Sequence, residues 1–275
     1  MSADPRAVLT RPAPAPDVTV AYGDHPDQLA DLRRPAGSGP PRPLVIVVHG
    51  GFWRTEYDRS HTGPMAAALA ALGHPVAQVE YRRTGQPGGG WPGTLTDVLA
   101  GVAALPGLAA EALPGRVSAA PPILVGHSAG GHLALYAAAQ APATVGGVLA
   151  LAPVADLAEA YRLDLDGGAV AALLGGGPAE VPDRYAATDP SALVPIRVRT
   201  VVVHGALDRQ VPLGMSRSWV AAARAAGSPV TLVELPESEH FGLIAPGSTA
   251  WPTVLDALRS LHDDLSGIDA ASPSR

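Results

Sequence analysis

Short runs of aliphatic and β-branched residues recur along the chain, separated by Ala- and Leu-rich stretches of helical length. Leu44 to Val48 reads LVIVV and offers no polar position to water, the pattern of a strand buried on both faces. The pattern returns at Pro75 to Tyr81, Ile123 to Val125, Val148 to Leu151, Thr200 to Val203 and Val230 to Leu235. Between these runs lie Pro64 to Leu72, Leu95 to Leu105, Gly131 to Gln140 and Met215 to Ala226, with Trp251 to Leu261 after the last. Such alternation predicts an α/β protein, a mostly parallel doubly wound sheet with helices on both faces, because right-handed crossovers place the helices there. Function in these sheets gathers at the carboxyl ends of the strands.

One segment breaks the alternation. Ala155 to Arg197 carries Gly175-Gly176-Gly177, several acids and no strand pattern, and reads as a small helical insertion over the carboxyl edge of the sheet. The expected organisation is a single domain over residues 18–262, with residues 155–197 as a cap-like insertion. Residues 1–15 and 266–275, rich in Pro, Ser and Ala without periodicity, are expected to be frayed tails.

Composition narrows the function. A chain of 275 residues that is 47% hydrophobic can bury a sizeable core. Its net charge of -6 provides no basic footprint for a phosphate backbone or an anionic bilayer, so neither nucleic acid nor membrane is an expected partner. Every Lys/Arg position is Arg, and Ala, Gly and Pro are abundant, so Ala and Pro counts carry less structural weight than usual. Without cysteine, catalysis must rest on oxygen and nitrogen. Leu44 to Val48 and the other apolar runs fall short of the roughly 20 residues a membrane helix needs, and the first twenty residues lack a signal-peptide core. A cytoplasmic monomer or homodimer is the expectation.

The chemistry concentrates in four places. Gly126-His127-Ser128-Ala129-Gly130 joins the strand ending at Val125 to the helix from Gly131, the strand, sharp turn, helix setting of a nucleophile elbow. A Ser hydroxyl needs a base to take its proton, and the base needs an acceptor to fix its tautomer. Asp208, in the loop after Thr200 to Val203, and His240, in the loop after Val230 to Leu235, follow Ser128 in the order acid then base. Asp156 is the rival acid, with helix capping as its alternative role. His49-Gly50-Gly51-Phe52-Trp53 follows the first buried run, where the amides of Gly51 and Phe52, with that of Ala129, can receive a developing oxyanion. His49, His127 and His204 sit beside glycines at strand ends and read as braces for loops; His25, His61, His74, His132 and His262 show no such context. No dinucleotide fingerprint or zinc-ligand cluster is present in the sequence, so neither cofactor nor metal is expected.

These motifs resemble the α/β-hydrolase superfamily over roughly residues 18 to 262. They resemble specifically its His-Gly-Gly-x-Trp branch, which includes kynurenine formamidases (arylformamidases) and is related to the hormone-sensitive-lipase-like esterases. Tyr81-Arg82-Arg83, Gly90-Trp91-Pro92 and Asp97 are similar to the segment after the fourth strand in both groups. The resemblance implies the α/β-hydrolase fold, with the insertion after the sixth strand. It also implies a Ser128, Asp208, His240 triad with Gly51, Phe52 and Ala129 as oxyanion donors. The implied activity is hydrolysis of a small amide or ester through an acyl-enzyme, with N-formylkynurenine as the first candidate and a carboxylesterase as the alternative. Peptidase activity and a catalytically inactive binding module stand behind these. Trp53, Tyr57, Trp91 and Phe241, with Tyr161 and Tyr185, are candidates for an aromatic pocket.

Overall fold

A computed structural model of the chain describes residues 4–270. Two strands that the apolar runs do not reveal, β1 (Val18–Ala21) and β2 (Leu29–Arg33), open the sheet. The six expected strands follow as β3 (Val45–Val48), β4 (Val76–Val79), β5 (Ile123–His127), β6 (Gly147–Leu151), β7 (Thr200–Gly205) and β8 (Val230–Leu235). All eight form one sheet in the order β1-β2-β4-β3-β5-β6-β7-β8. β2 runs antiparallel to β1 and β4, and the remaining pairs are parallel.

Side chains alternate across each inner strand with the period of two that a pleated sheet imposes. Val45 and Val47 enter one core with Ile123 and Val125; Ile46 and Val48 enter the other with Leu124. The first core is completed by α1 (Gly63–Ala71), through Met65 and Leu69. The second is covered by α2 (Gly93–Ala112) and α3 (Ala129–Gln140), through Val98 and Leu133. The insertion folds as α4 (Leu157–Arg162), α5 (Ala169–Leu174) and α6 (Pro182–Thr188), with Leu157, Leu173 and Tyr185 joining the α3 side. Two further helices close the layers, α7 (Leu213–Ala225) over the α3 side and α8 (Trp251–Ala270) beside α1.

From β3 the chain steps one way to β4 and the other way to β5. That reversal opens a crevice outside the carboxyl ends of β3 and β5, where ligands collect in open α/β sheets. Register pairs Val48 with Gly126, so His49-Gly50-Gly51 and the turn at Ser128 emerge side by side. Two motifs far apart in sequence are thereby neighbours by topology alone.

Three expectations are corrected. Among the described residues, α2 is long and apolar enough by length and composition to cross a membrane, which the search for short apolar runs overlooked. Val98, Val102, Leu105 and Ala109 of this helix are buried in the core. Residues 5–10, expected in a frayed tail, form a 3-10 helix capped by the Asp4 carboxylate, which accepts the Arg6 amide at 2.9 Å. Val8 is buried in the same core as Leu243 and Ile244, its neighbour Leu9 packs partly buried against that core, and two adjacent apolar residues leave no periodicity to read. At the other end α8 continues to Ala270, beyond the expected stop at Leu261; residues 1–3 and 271–275 lie outside the described residues.

Leu124, fully buried on the strand that leads into Ser128, provides a test of this packing. Leu124→Ala should lower unfolding free energy by about 2–5 kcal/mol through lost transfer energy and a residual cavity. Urea unfolding should show a lower midpoint with an unchanged slope.

Candidate active site

Between the end of β5 at His127 and the start of α3 at Ala129, Ser128 alone makes the turn, with φ 57° and ψ -119°. The Ser128 amide donates to the Leu151 carbonyl at 2.8 Å, and its own carbonyl accepts the amides of His132 and Val154, both at 3.2 Å. Neighbouring positions must be small. A Cβ on Gly130 would stand 2.0 Å from the Val48 carbonyl oxygen, and one on Gly126 would stand 2.2 Å from that of Gly130.

The segment after β3 is equally constrained: Gly51, Phe52 and Trp53 have φ of 99°, 48° and 58°. Among the described residues, the amides of Gly51, Phe52 and Ala129 donate to no backbone acceptor. Gly51 and Phe52 line the same pocket as Ser128, and Ala129 begins α3, where amides are left free by the helix. Unpaired donors beside a serine at a helix N-terminus suit a negatively charged oxygen.

His49 braces this turn from below. Its Nε2 donates to Glu80 Oε1 at 2.9 Å and its Nδ1 lies 2.8 Å from the Gly50 carbonyl oxygen, while its ring stacks on Tyr81 at 4.3 Å. Tyr81 donates its hydroxyl to the His49 carbonyl at 2.8 Å. Burial raises the Glu80 carboxyl, but the His49 charge and hydrogen bond, Arg83 and the Arg59 amide outweigh it and hold its pKa at about 2. Immediately after the turn, Arg54 reaches across to the insertion, donating to Asp166 Oδ2 at 2.6 Å and to the Gly167 carbonyl at 3.1 Å.

On the opposite side, His240 Nδ1 donates to Asp208 Oδ2 at 2.6 Å. Asp208 Oδ1 accepts the amides of Gln210 and Val211, each at 2.8 Å, and His204 Nε2 lies 3.3 Å from Oδ2. Burial alone would raise the Asp208 carboxyl; the hydrogen bonds from His204 and His240, the His240 charge and the Val211 amide hold it well below the usual range. His204 is itself fixed, donating Nε2 to the Val211 carbonyl at 3.0 Å and accepting the Ser216 hydroxyl at 2.7 Å. His127 donates to the His240 carbonyl at 3.1 Å; burial and the nearby His240 push it well below its ordinary pKa, so it is a neutral brace. Asp156, the rival acid, caps α4 by accepting the Glu159 amide at 2.8 Å.

Ser128 and His240 line one pocket with Gly51 and Phe52. Among the described residues no hydrogen bond joins the Ser128 hydroxyl to the His240 ring, a looseness common before substrate arrives. Of the aromatic candidates, Tyr57 and Phe241 face this pocket. Trp53 does not: it is fully buried, edge-on to His132 at 5.3 Å. Trp91 packs away from the pocket, its amide donating to the Leu173 carbonyl at 2.7 Å. Tyr161 and Tyr185 meet edge to face at 6.5 Å within the insertion. Both tryptophans have the right residue type, but Trp53 is buried in the core and Trp91, partly buried, packs against it.

Arg6, Leu9, His61, Asp166 and Gln210 also line the pocket, and sequence reading missed all five. Burial, and secondarily the nearby His49, lowers His61 to about 4, so its ring is neutral at pH 7. The one legible signal for Arg6 was Asp4-Pro5, a capping acid followed by a residue suited to a first helical position. Among the described residues, no three His, Asp or Glu side chains converge as metal ligands would.

The BD-FAE family profile matches residues 30–222. The chain is similar to Esterase LipQ of Mycobacterium tuberculosis, at 29% identity over 249 residues. That match covers 83% of this chain and 58% of the relative, so this chain spans little more than half of its length. A truncated carbohydrate esterase from gut microbiota superposes with TM-score 0.77 at 19% identity, covering 92% of this chain and 99% of the other. Esterase B from Lactobacillus Rhamnosis superposes with TM-score 0.77 at 22% identity, covering 96% and 91%. The α/β-hydrolase fold is shared across these proteins.

Glu80 generates a test in acid. Its carboxyl is held at about 2 against an ordinary 4.5, so it contributes stability that is present above pH 4.5 and is lost as pH falls towards 2. The shift corresponds to about 3 kcal/mol. Thermal unfolding followed from pH 6 to 2 should show a steep acid limb, and Glu80→Gln should flatten it.

Proposed function

The chain belongs to the BD-FAE family, and on that footing we propose that it is a carboxylesterase acting on small acyl esters through an acyl-enzyme on Ser128. The observation that carries the reading is one pocket holding a serine at φ 57°, a His240 fixed by a buried Asp208, and the unpaired amide of Gly51. In this reading His240 Nε2 takes the Ser128 proton as Oγ attacks the ester carbonyl. Negative charge on the carbonyl oxygen is received by the amides of Gly51, Phe52 and Ala129. The imidazolium, stabilised by Asp208, gives its proton to the departing alkoxide, and an alcohol leaves. Water, activated by the same histidine, then attacks the acyl-enzyme and releases the acid and the free serine.

Support for an ester comes from the relatives, LipQ and esterase B being named as esterases. The formamidase reading, with N-formylkynurenine as substrate, gains no such support, and Trp53, the last residue of the His49 to Trp53 motif that with the small insertion suggested it, lies in the core.

Steady-state turnover of p-nitrophenyl acetate beside N-formylkynurenine decides between the two. Ester cleavage without formamide cleavage is the expected outcome; efficient formamide cleavage with negligible ester cleavage would overturn the esterase reading. Ser128→Ala should abolish both turnover and labelling by a fluorophosphonate. Asp208→Asn should lower kcat by about 10,000-fold without unfolding the protein, because the histidine loses the partner that sets its tautomer.

A further inference from the structure

Arg6 stands at the mouth of the pocket with no acidic side-chain partner among the described residues. It lines the cavity of Ser128 and also the adjoining groove, which Arg209 and Gln210 share with His240. Its guanidinium carbon lies 5.5 Å from the centre of the Phe241 ring, and Nη2 donates to the Tyr57 hydroxyl at 3.4 Å. Contacts of this kind hold a guanidinium in place and leave its charge available. Three carboxylates share these cavities, Asp4 and Glu239 in the groove and Asp166 in the Ser128 pocket, and each is held by another partner. Asp4 accepts the Arg6 amide at 2.9 Å and Asp166 pairs with Arg54 at 2.6 Å. Glu239 accepts the amides of Phe241 and Gly242 at 2.8 and 2.5 Å. Among the described residues, neither Arg6 nor Arg209 forms an ion pair with any of them.

We propose that Arg6, with Arg209 along the same groove, binds a carboxylate carried by the alcohol portion of the substrate, which makes the preferred substrates acyl esters of hydroxycarboxylic acids. The inference rests on the esterase reading. Its direction follows from the chemistry: His240 must hand its proton to the departing oxygen, so the leaving alcohol lies against His240. The groove bordering His240 is the one that Arg6 and Arg209 line. Gln210 lines both cavities. Water is the only co-reactant, and the products are a simple carboxylic acid and a free hydroxy acid.

The test compares 4-acetoxybenzoate with methyl 4-acetoxybenzoate, which share the scissile bond and the ring and differ in the charge at its far end. Each kcat/KM is divided by the ester's own rate with hydroxide, to remove the difference in leaving-group reactivity. The corrected ratio should favour the carboxylate by about 5-fold, mainly through KM, as expected for partly exposed charge-assisted contacts. It should fall towards one in about 0.5 M NaCl, where screening is strong, and in the Arg6→Gln, Arg209→Gln double variant. A ratio at or below one in the parent, or a preference that survives both substitutions, would overturn the proposal; the second result would leave Arg6 as a clasp holding the N-terminal turn on Phe241. Binding of 4-hydroxybenzoate to Ser128→Ala, followed by calorimetry, needs no turnover and separates the two readings. Binding that is lost with Arg6→Gln supports the anion site even if neither ester is cleaved, and absence of binding overturns it even if both are.

Discussion

A serine turned to φ 57° between a buried strand and a buried helix keeps that angle only while its surroundings hold it, since such a backbone costs about 1–3 kcal/mol. The surroundings here are the ends of two parallel strands. β6 supplies the Leu151 carbonyl that receives the Ser128 amide, and β3 supplies the Val48 carbonyl that leaves no room for a side chain on Gly130. Because β3 and β5 flank the point where strand order reverses, the same arrangement brings the left-handed Gly51-Phe52-Trp53 segment beside the serine. Strain and topology therefore serve one purpose, which is to place a buried, pocket-lining serine next to unpaired amides.

Two buried carboxylates stabilise the two halves of that site by the same physical means. Glu80 lies under the turn after β3 and accepts from His49, Arg59 and Tyr81; Asp208 lies under the loop after β7 and accepts from His240 and two amides. Each would be costly to bury as an anion without such donors. With them, each fixes a histidine, and each histidine fixes a loop. His127 and His204, neither of which touches the pocket's reacting atoms through a hydrogen bond, extend the bracing to the His240 backbone and to Asp208.

The inner strands were legible because burial on both faces writes an unbroken apolar run, as in LVIVV. β1 and β2 were not, because an edge pair writes alternation: Ala30 and Leu32 are buried while Asp31, between them, accepts the Thr19 hydroxyl. At the site, Ser128, Gly130 and Gly51 could be read because backbone geometry restricts which residues fit there. Side chains that line the pocket obey no such restriction, and what decides them is the three-dimensional route of loops. His61 and Arg6 arrive from segments with no apolar periodicity, whereas Trp53, adjacent in sequence to the oxyanion turn, is carried into the core by the handedness of that turn.

The span from Arg54 to Asp166 links two regions that would otherwise be separate modules. One guanidinium, covalently next to the oxyanion turn, holds the loop between α4 and α5 that forms one wall of the pocket. Loop exchange is a common way for a scaffold to acquire new substrates, and it succeeds when the exchanged loop is mechanically independent of the catalytic frame. Here it is not. In the esterase reading, sequence drift that reshapes this wall would also load or slacken the amides proposed to receive the oxyanion, so breadth of substrate and speed of turnover would be altered together.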